Sequence, residues 1–435
     1  MNEIGSALLQ VTDAPAVMST NSDTLWSGRS LAEVPLRAYT DRALYERELE
    51  RIFYGPHWCY VGLTAEVPNV GDFKRTFVGE RQVVMVRAEP GDGDGAISVV
   101  ENRCAHRGMQ FCQKNFGNNP DFRCPYHQWN YDLKGNLMGV PYRRGVKKQG
   151  GMPPDFKLEE HGLNKLKVAE RHGVVFASFD PSVPPLDDYL GPDVLRYFDR
   201  VFPGGDPDRE LAVLGYSRQR IPGNWKLMQE NIKDPYHPGL LHVFFVTFGL
   251  WRPDQQSRMV TDSLNRHACM ISQRNAAGAN EATQGVSTFR ENMKLNDDRI
   301  LDVVNESWWG GPTVCMTTIF PSLIVQQQVN SLSTRHIVPR GEGTFDFVWT
   351  HFGYKGDDPA MRRRRLRQAN LFGPAGYVSA DDGEAIECVQ RGAWPHSSEL
   401  TYNAMDGTGV GGAEHMVTES LIRGMYQYWR QVMEL

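Results

Sequence analysis

The sequence lacks the long apolar run that a membrane-spanning helix needs, about 18 residues without interruption. Its first residues, MNEIGSALLQ, include an acid and no cationic segment, so they are not typical of a secretory signal peptide. Positive charge is not in excess either, because 47 Lys and Arg stand against 52 Asp and Glu, a formal charge of -5. This balance excludes a global field that attracts nucleic acid or anionic lipid. We therefore expect a cytoplasmic protein that binds neither.

Cysteine is also scarce. The chain has seven cysteines among 435 residues, an odd number that is not typical of a secreted disulfide framework. In a reducing compartment, such residues are buried fillers, catalytic thiols or metal ligands. Only Cys104 and Cys124 have histidines at a useful spacing, so these two are the candidates for ligands.

The composition and the patterning indicate an α+β fold. Apolar residues make up 40 % of the chain and aromatic residues 11 %, which is enough for a large core, and the length allows two or three domains. We predict an N-terminal arm and helix over residues 1–56, with the helix at 40–54 capped by Thr40. Alternation of period two predicts a small all-β domain over 57–180. Residues 181–435 mix helices with long strands and form a larger domain.

Two short segments in the β domain each offer one thiolate and one imidazole. Cys104 and His106 are followed, after 17 residues, by Cys124 and His127. This division favours a Rieske-type [2Fe–2S] cluster, in which two cysteines hold one iron and two histidines hold the other. A tetrahedral zinc site stays open as the alternative, although structural zinc loops usually pair their cysteines.

A second group of candidate ligands lies in NWKLMQENIKDPYHPGLLH, residues 224–242. On a regular helix Asp234 and His237 share a face, whereas His237 and His242 lie about 140° apart. A π-type widening would bring both histidines to one ion. Two imidazoles and one carboxylate suit non-haem Fe(II), and the carboxylate would come from Asp381-Asp382, on a helix after a GPAG turn. Ordinary polar residues on a helix are the alternative.

These motifs resemble the large (α) subunits of Rieske non-haem iron ring-hydroxylating oxygenases. The pattern C-x-H-x17-C-x2-H, then E-N-x-x-D-x-x-H-x4-H, then G-P-A-G and D-D, is similar in order and spacing over most of the chain. The resemblance implies a catalytic domain with an antiparallel sheet flanked by helices, in a helix-grip-like arrangement. One departure is Gln128, where Gly or Ala is frequent; we expect no effect on ligation.

The resemblance also implies a role for each motif residue. The cluster ligands are Cys104, His106, Cys124 and His127, and the iron ligands are His237, His242 and Asp382. Asp234 is the carboxylate that joins an iron-ligand histidine to a cluster histidine of the neighbouring subunit. Asn231 lies near the iron without binding it tightly.

Runs such as RLRQANLFGPAGYVSADDGE are similar to family members that act on benzoates with a free carboxylate. The implied reaction is 5-hydroxylation of salicylate to gentisate with O₂ and electrons from NADH, delivered by a ferredoxin reductase and a ferredoxin. The implied assembly contains three α subunits, alone or with three small β subunits. Another substituted benzoate (chlorosalicylate, aminobenzoate or terephthalate), an electron carrier without catalysis, and a zinc-stabilised binding protein are the alternatives.

Substrate contacts are predicted from the residues themselves. A carboxylate-bearing substrate needs hydrogen-bond donors in its pocket. In PSLIVQQQVNSLSTRHIVP, interpreted as one long strand, Gln326, Gln328 and Asn330 alternate on one face, and Ser379 precedes Asp382 by three residues. We predict that Gln328 and Ser379 contact the substrate; a solvent or subunit face is the alternative.

Overall fold

The structure is a computed structural model that describes residues 26, 29–91, 93, 95–274 and 278–435. Most of the predicted N-terminal arm lies outside these residues. None of the helices in the described part of the chain is long and apolar enough to cross a membrane.

Strands and helices alternate irregularly along the described residues. The strands are β1 Glu33–Pro35, β2 Cys59–Leu63, β3 Asp72–Val78, β4 Arg81–Arg87, β5 Ile97–Glu101, β6 Phe116–Asn118, β7 Phe122–Arg123, β8 Asn130–Tyr131, β9 Leu137–Gly139, β10 Lys167–Arg171, β11 Val174–Ser178, β12 Leu211–Ile221, β13 Ser257–Thr261, β14 Ala268–Ser272, β15 Val314–Ile319, β16 Leu323–Gln328, β17 Ser331–Pro339, β18 Phe345–Tyr354 and β19 Leu400–Tyr402. The helices are α1 Arg37–Thr40, α2 Arg42–Glu48, α3 Leu186–Leu190, α4 Pro192–Val201, α5 Trp225–Asn231, α6 Pro238–Leu241, α7 Val243–Thr247, α8 Pro359–Phe372, α9 Ser379–Ala393 and α10 Ser420–Met433.

The helix predicted near the N-terminus is present, but Thr40 is not its cap. Thr40 ends α1, and Asp41, in extended backbone, begins α2 by accepting a hydrogen bond from the Leu44 amide at 3.0 Å. A carboxylate there satisfies an amide that the helix leaves without a partner. After α2 the chain continues as a π-helix over Leu49–Phe53. Strand β1 pairs with β19, which ties this region to the C-terminal part of the chain.

The small β domain predicted for the first half of the chain is confirmed. Strands β5-β4-β3-β6 form one antiparallel sheet and β7-β8-β9 another. Between them lies a separate core that includes Phe73, Val84, Phe122 and Tyr131, together with Cys104 and Cys124. Strands β10-β11-β2 form a third sheet, and its residues pack against α3, α4 and the larger domain. The boundaries at 57 and 181 stay predictions.

The larger domain is built on a seven-stranded antiparallel sheet in the order β12-β18-β17-β16-β15-β14-β13. The segment predicted as one long strand is instead the hairpin β16–β17, because Val329 adopts φ 45° and Gln328 pairs with Ser331. Asn330 therefore lies in the turn, where its side chain donates to the Val304 carbonyl at 2.7 Å. The prediction that Asn330 shares a strand face with Gln326 and Gln328 is wrong.

Helix α8 begins with two residues that are typical of a helix start. Asp358 accepts a hydrogen bond from the Met361 amide at 2.7 Å, and Pro359 occupies the first turn. The chain then turns through GPAG and enters α9, whose first turn carries Asp381 and Asp382. This second helix delivers a carboxylate to the segment between α5 and α7.

Candidate metal centres

The two Cys–His segments of the small domain fold into two loops of the same conformation. The Cys104 amide donates to the Met109 carbonyl at 2.8 Å, and the Cys124 amide donates to the Trp129 carbonyl at 2.9 Å. The amide four residues after each cysteine donates back to that cysteine's carbonyl, at 2.9 Å in both loops. Two equivalent turns thus present one cysteine and one histidine each.

Both loops need a left-handed residue four positions after the cysteine. Gly108 has φ 72° and Gln128 has φ 56°. Glycine adopts this backbone without cost, whereas a residue with a Cβ is strained there by about 1 kcal/mol or more. Gly108 therefore meets this requirement without strain, whereas Gln128 meets it at that cost.

This difference predicts opposite outcomes for two substitutions. We expect Gln128→Gly to leave the unfolding free energy unchanged or raise it by up to about 1 kcal/mol. Gly108→Ala should lower it by about 1 kcal/mol, since a Cβ there meets only Arg103 at 3.5 Å and the cost is purely conformational. Denaturant unfolding of the cluster-loaded protein measures both. A large loss in Gln128→Gly would contradict this account.

The four side chains converge as a cluster site requires. The rings of His106 and His127 lie 4.5 Å apart, and Trp129 stacks on His106 at 4.8 Å and 5°. His106 Nδ1 is buried and has no hydrogen-bond partner among the described residues, which fits a nitrogen reserved for a metal. Burial, and then the nearby His127 and Arg107, lower the pKa of His106 and favour the neutral, ligating imidazole.

The two cysteine side chains are also placed to bind a cluster. Cys104 and Cys124 are both buried. Burial first, and then the neighbouring Cys104, raise the pKa of Cys124, so the pair needs a cation to hold two thiolates together. Tyr131, which the sequence analysis missed, places its hydroxyl 3.2 Å from Cys104 Sγ. The four residues therefore fit a [2Fe–2S] cluster.

The second candidate site forms where a helix is broken. Asp234 lies in the turn after α5, His237 caps the start of α6, and His242 ends it in extended backbone with φ -92° and ψ 108°. The predicted π-type widening is therefore wrong. Pro238 begins a four-residue helix, and its abrupt end turns the two imidazoles towards one point.

Asp382 on α9 is the third candidate ligand, and it lies where the two imidazoles meet. Its Oδ1 lies 3.5 Å from His237 Nε2 and 3.2 Å from His242 Nε2. The three ligating atoms all lie within 4.8 Å of one another. Among the described residues, His237, His242 and Asp382 thus form a group that could hold one metal ion.

Each imidazole also has a partner on its outer nitrogen. Asp234 Oδ2 lies 3.4 Å from His237 Nδ1, while its Oδ1 accepts from the Tyr236 amide at 2.8 Å. Asp381 Oδ2 lies 3.1 Å from His242 Nδ1. Asn231 lies close by and donates to Asp382 Oδ1 at 3.1 Å; its position relative to an iron stays a prediction. The role of Asp381 was missed, because the sequence shows two adjacent aspartates without their directions.

The electrostatics of the site favour a cation. Burial alone would lower the pKa of His237, but Asp234 and Asp382 outweigh it and raise that pKa to about 10. Although burial raises the pKa of Asp382, both histidines bring it well below its ordinary value. The donor set of two imidazoles and one carboxylate matches that of non-haem Fe(II) sites, so the residues fit a mononuclear iron.

A cavity lies directly beside these ligands. Most of its wall is apolar, and it is lined by Asn231, Ile232, His237, Pro238, His242, Phe245, Trp251, Met270, Val314, Met316, Gln328, Arg335, Val378 and Asp382. Gln328 lies on this wall, and its predicted contact with the substrate stays a prediction. Ser379 is buried with an Oγ that has no hydrogen-bond partner among the described residues, but it is not part of that wall.

Arg335 in this wall was missed by the sequence analysis. It comes from β17, is 4 % exposed, donates from Nε to Gln326 Oε1 at 3.1 Å, and stacks over Trp349 at 3.8 Å. No carboxylate of the described residues forms an ion pair with it. Burial lowers its pKa to about 9, opposed by Asp382. Alternation along a strand could have placed it on one sheet face, but not beside the iron ligands.

Comparison with protein families accounts for both domains. Residues 57–149 match the model of the Rieske [2Fe-2S] domain, and residues 207–435 match the ring hydroxylating alpha subunit (catalytic domain).

Similar proteins cover nearly the whole chain. The large oxygenase component of salicylate 5-hydroxylase from Ralstonia sp is 64 % identical over 416 residues, 94 % of this chain and 96 % of that protein. The large subunit of anthranilate 1,2-dioxygenase from Burkholderia cepacia is 41 % identical, covering 98 % and 100 %. Among solved structures, naphthalene 1,2-dioxygenase from Rhodococcus sp. bound to indole has a TM-score of 0.74 at 24 % identity, covering 92 % and 94 %.

Proposed function

The chain belongs to the family of Rieske ring-hydroxylating oxygenase α subunits, and on that basis we propose that it hydroxylates salicylate at the 5-position to give gentisate. The reaction consumes O₂ and electrons that originate in NADH. One observation carries the oxygenase assignment: His237, His242 and Asp382 converge at the wall of an apolar cavity. An electron carrier without catalysis needs neither that cavity nor a second metal centre.

The protein's own residues prepare the site for this chemistry. When bound, the two metal groups supply one-electron transfer and dioxygen activation. Cys104, Cys124, His106 and His127 would hold the cluster, and His237, His242 and Asp382 would hold the iron. Asp234 fixes the ring of His237 through its outer nitrogen and directs that imidazole inwards. The apolar wall excludes water from the reacting ring.

Arg335 supports a substrate that carries a carboxylate. A buried guanidinium without a described ion-pair partner is costly, and an anionic ligand in the cavity supplies the missing countercharge. Gln328 lies on the same wall and receives a hydrogen bond from Gln326 at 2.6 Å. We assign the carboxylate of salicylate to Arg335 and Gln328. In this orientation the side of the ring opposite the carboxylate faces the proposed iron site. Ser379 as a substrate contact stays a prediction.

Partner components follow from the same proposal. An oxygenase component needs an electron source, and we assign a ferredoxin and its reductase to that role. Among the described residues, no hydrogen bond or ion pair connects His106 or His127 with Asp234. We therefore place the electron path between neighbouring subunits, with Asp234 on the receiving side. Three α subunits, with or without three β subunits, would close such an assembly.

Replacing Arg335 tests the substrate assignment. We expect Arg335→Met to lower kcat/KM for salicylate about 10- to 100-fold, since a hydrogen bond to a charged group is worth about 1.5–3 kcal/mol. Turnover of phenol, which has the hydroxyl but no carboxylate, should change much less. Steady-state kinetics with both substrates measure the difference, and Arg362→Met, an exposed arginine on α8, is the control.

A panel of benzoates with product identification separates the proposed substrate from its alternatives. Gentisate formed from salicylate, with higher kcat/KM than for chlorosalicylate, aminobenzoate or terephthalate, is the expected result. A different preferred benzoate would overturn the salicylate assignment and keep the oxygenase. Reduction of the cluster without turnover of any aromatic acid would favour the electron carrier.

A further inference from the structure

The two adjacent aspartates at the start of α9 contact the same imidazole from opposite sides. Asp382 Oδ1 lies 3.2 Å from His242 Nε2, and Asp381 Oδ2 lies 3.1 Å from His242 Nδ1. His242 is almost completely buried, at 1 % exposed, whereas 42 % of the Asp381 side chain is exposed. The ring is therefore held between a buried carboxylate on its inner nitrogen and a solvent-facing carboxylate on its outer nitrogen.

From this geometry we propose that Asp381 is a positioning residue, which fixes the ring orientation and tautomer of His242 for metal binding. A carboxylate at Nδ1 accepts the N–H there, so the lone pair of the neutral ring is on Nε2, the nitrogen that faces Asp382. The inference rests on the proposed iron site and extends it to a residue that provides no ligand atom.

The partner of His242 comes from a different part of the fold than the partner of His237. Both histidines are N-cap residues, His237 of α6 and His242 of α7. The partner of His237, Asp234, is three residues away and is fixed by two backbone amides, those of Tyr236 at 2.8 Å and His237 at 3.2 Å. Asp381 holds His242 from a different element, at the start of α9. The same helix turn thus supplies one ligand and orients another.

The test measures metal binding rather than turnover. The cluster-loaded protein, depleted of mononuclear iron by chelation, is titrated anaerobically with Fe(II). We expect Asp381→Ala to weaken Fe(II) binding about 10- to 100-fold, the usual cost of losing a partner of a metal-bound histidine. Asp381→Asn keeps an acceptor oxygen of nearly the same shape and should lose less. The order of affinities, wild type above Asn above Ala, is the expected result.

Controls separate positioning from a structural effect. Glu384→Gln changes an exposed carboxylate on the same helix and should bind Fe(II) like the wild type. The visible spectrum of the cluster reports whether each variant is folded. The nitric oxide adduct of the bound Fe(II) gives an electron paramagnetic resonance spectrum, and its rhombicity should change in Asp381→Ala because the His242 ring is free to rotate.

The titration distinguishes failure of the proposed function from failure of the positioning role. Wild-type protein that binds no Fe(II) beyond the cluster would overturn the proposed function itself. Wild-type binding together with Asp381→Ala affinity within twofold of it, and an unchanged nitrosyl spectrum, would overturn the positioning role alone. If the alanine variant does not accumulate, Asp381→Asn decides: an affinity and a nitrosyl spectrum identical to those of the wild type would contradict the expected order and overturn the positioning role of the Asp381 carboxylate.

Discussion

Asp382→Ala is expected to abolish the mononuclear metal site while the cluster remains. Asp382 provides the carboxylate that both imidazoles face, at 3.5 and 3.2 Å, and its removal leaves two histidines with no anionic ligand. We expect iron in the variant to fall from about three atoms per chain to about two, and aromatic hydroxylation to fall by at least about 100-fold. Iron and acid-labile sulfide analysis, with product assays, measure both effects.

The isosteric Asp382→Asn is the companion variant. It keeps the volume of the buried side chain, so a loss of metal in both variants comes from the missing charge and not from a cavity. The cluster's visible and electron paramagnetic resonance spectra should match those of the wild type, because its proposed ligands all lie in the small domain, the two cysteines within its core. Hydroxylation retained in Asp382→Ala would refute the ligand assignment.

Asp234→Asn is expected to separate metal binding from electron delivery. Asn keeps an oxygen that can accept from the Tyr236 amide, so the turn before α6 should hold. It loses the charge that faces His237 Nδ1 and, in our proposal, a cluster histidine of the neighbouring subunit. We expect both metals to bind, while product formed in a single turnover of pre-reduced enzyme appears about 10- to 100-fold more slowly.

Single-turnover kinetics give the decisive measurement, with ferredoxin-dependent reduction of the cluster as the control. Reduction should proceed at the wild-type rate, since the cluster loops are untouched. A normal single-turnover rate in Asp234→Asn would exclude it as the bridge. If the variant instead loses iron while its single-turnover rate per bound iron is unchanged, the role of Asp234 is limited to orienting His237.

Local signals in the sequence predicted local structure well where one residue decides the outcome. Asp358 and Pro359 mark the start of α8, because aspartate is favoured as an N-cap residue and proline in the first turn of a helix. The same reasoning misplaced a cap at Thr40, because the neighbouring Asp41 competes for the same role. It also merged β16 and β17 into one strand, since the turn at Val329 carries no glycine or proline.

By itself, the sequence predicted the candidate ligands of both centres, and their types and spacing restricted the metals to a Rieske cluster or zinc at the first centre and non-haem iron at the second. It also determined the two kinds of domain, since hydrophobic period and turn residues are local properties. Only the tertiary structure decided how the ligands meet. The meeting of His242 with Asp381 and Asp382, and the arrival of Arg335 from β17, depend on packing between segments that are distant in the sequence, 139 residues apart for His242 and Asp381. Such distances follow from how helices and sheet close on each other, and no local pattern encodes them.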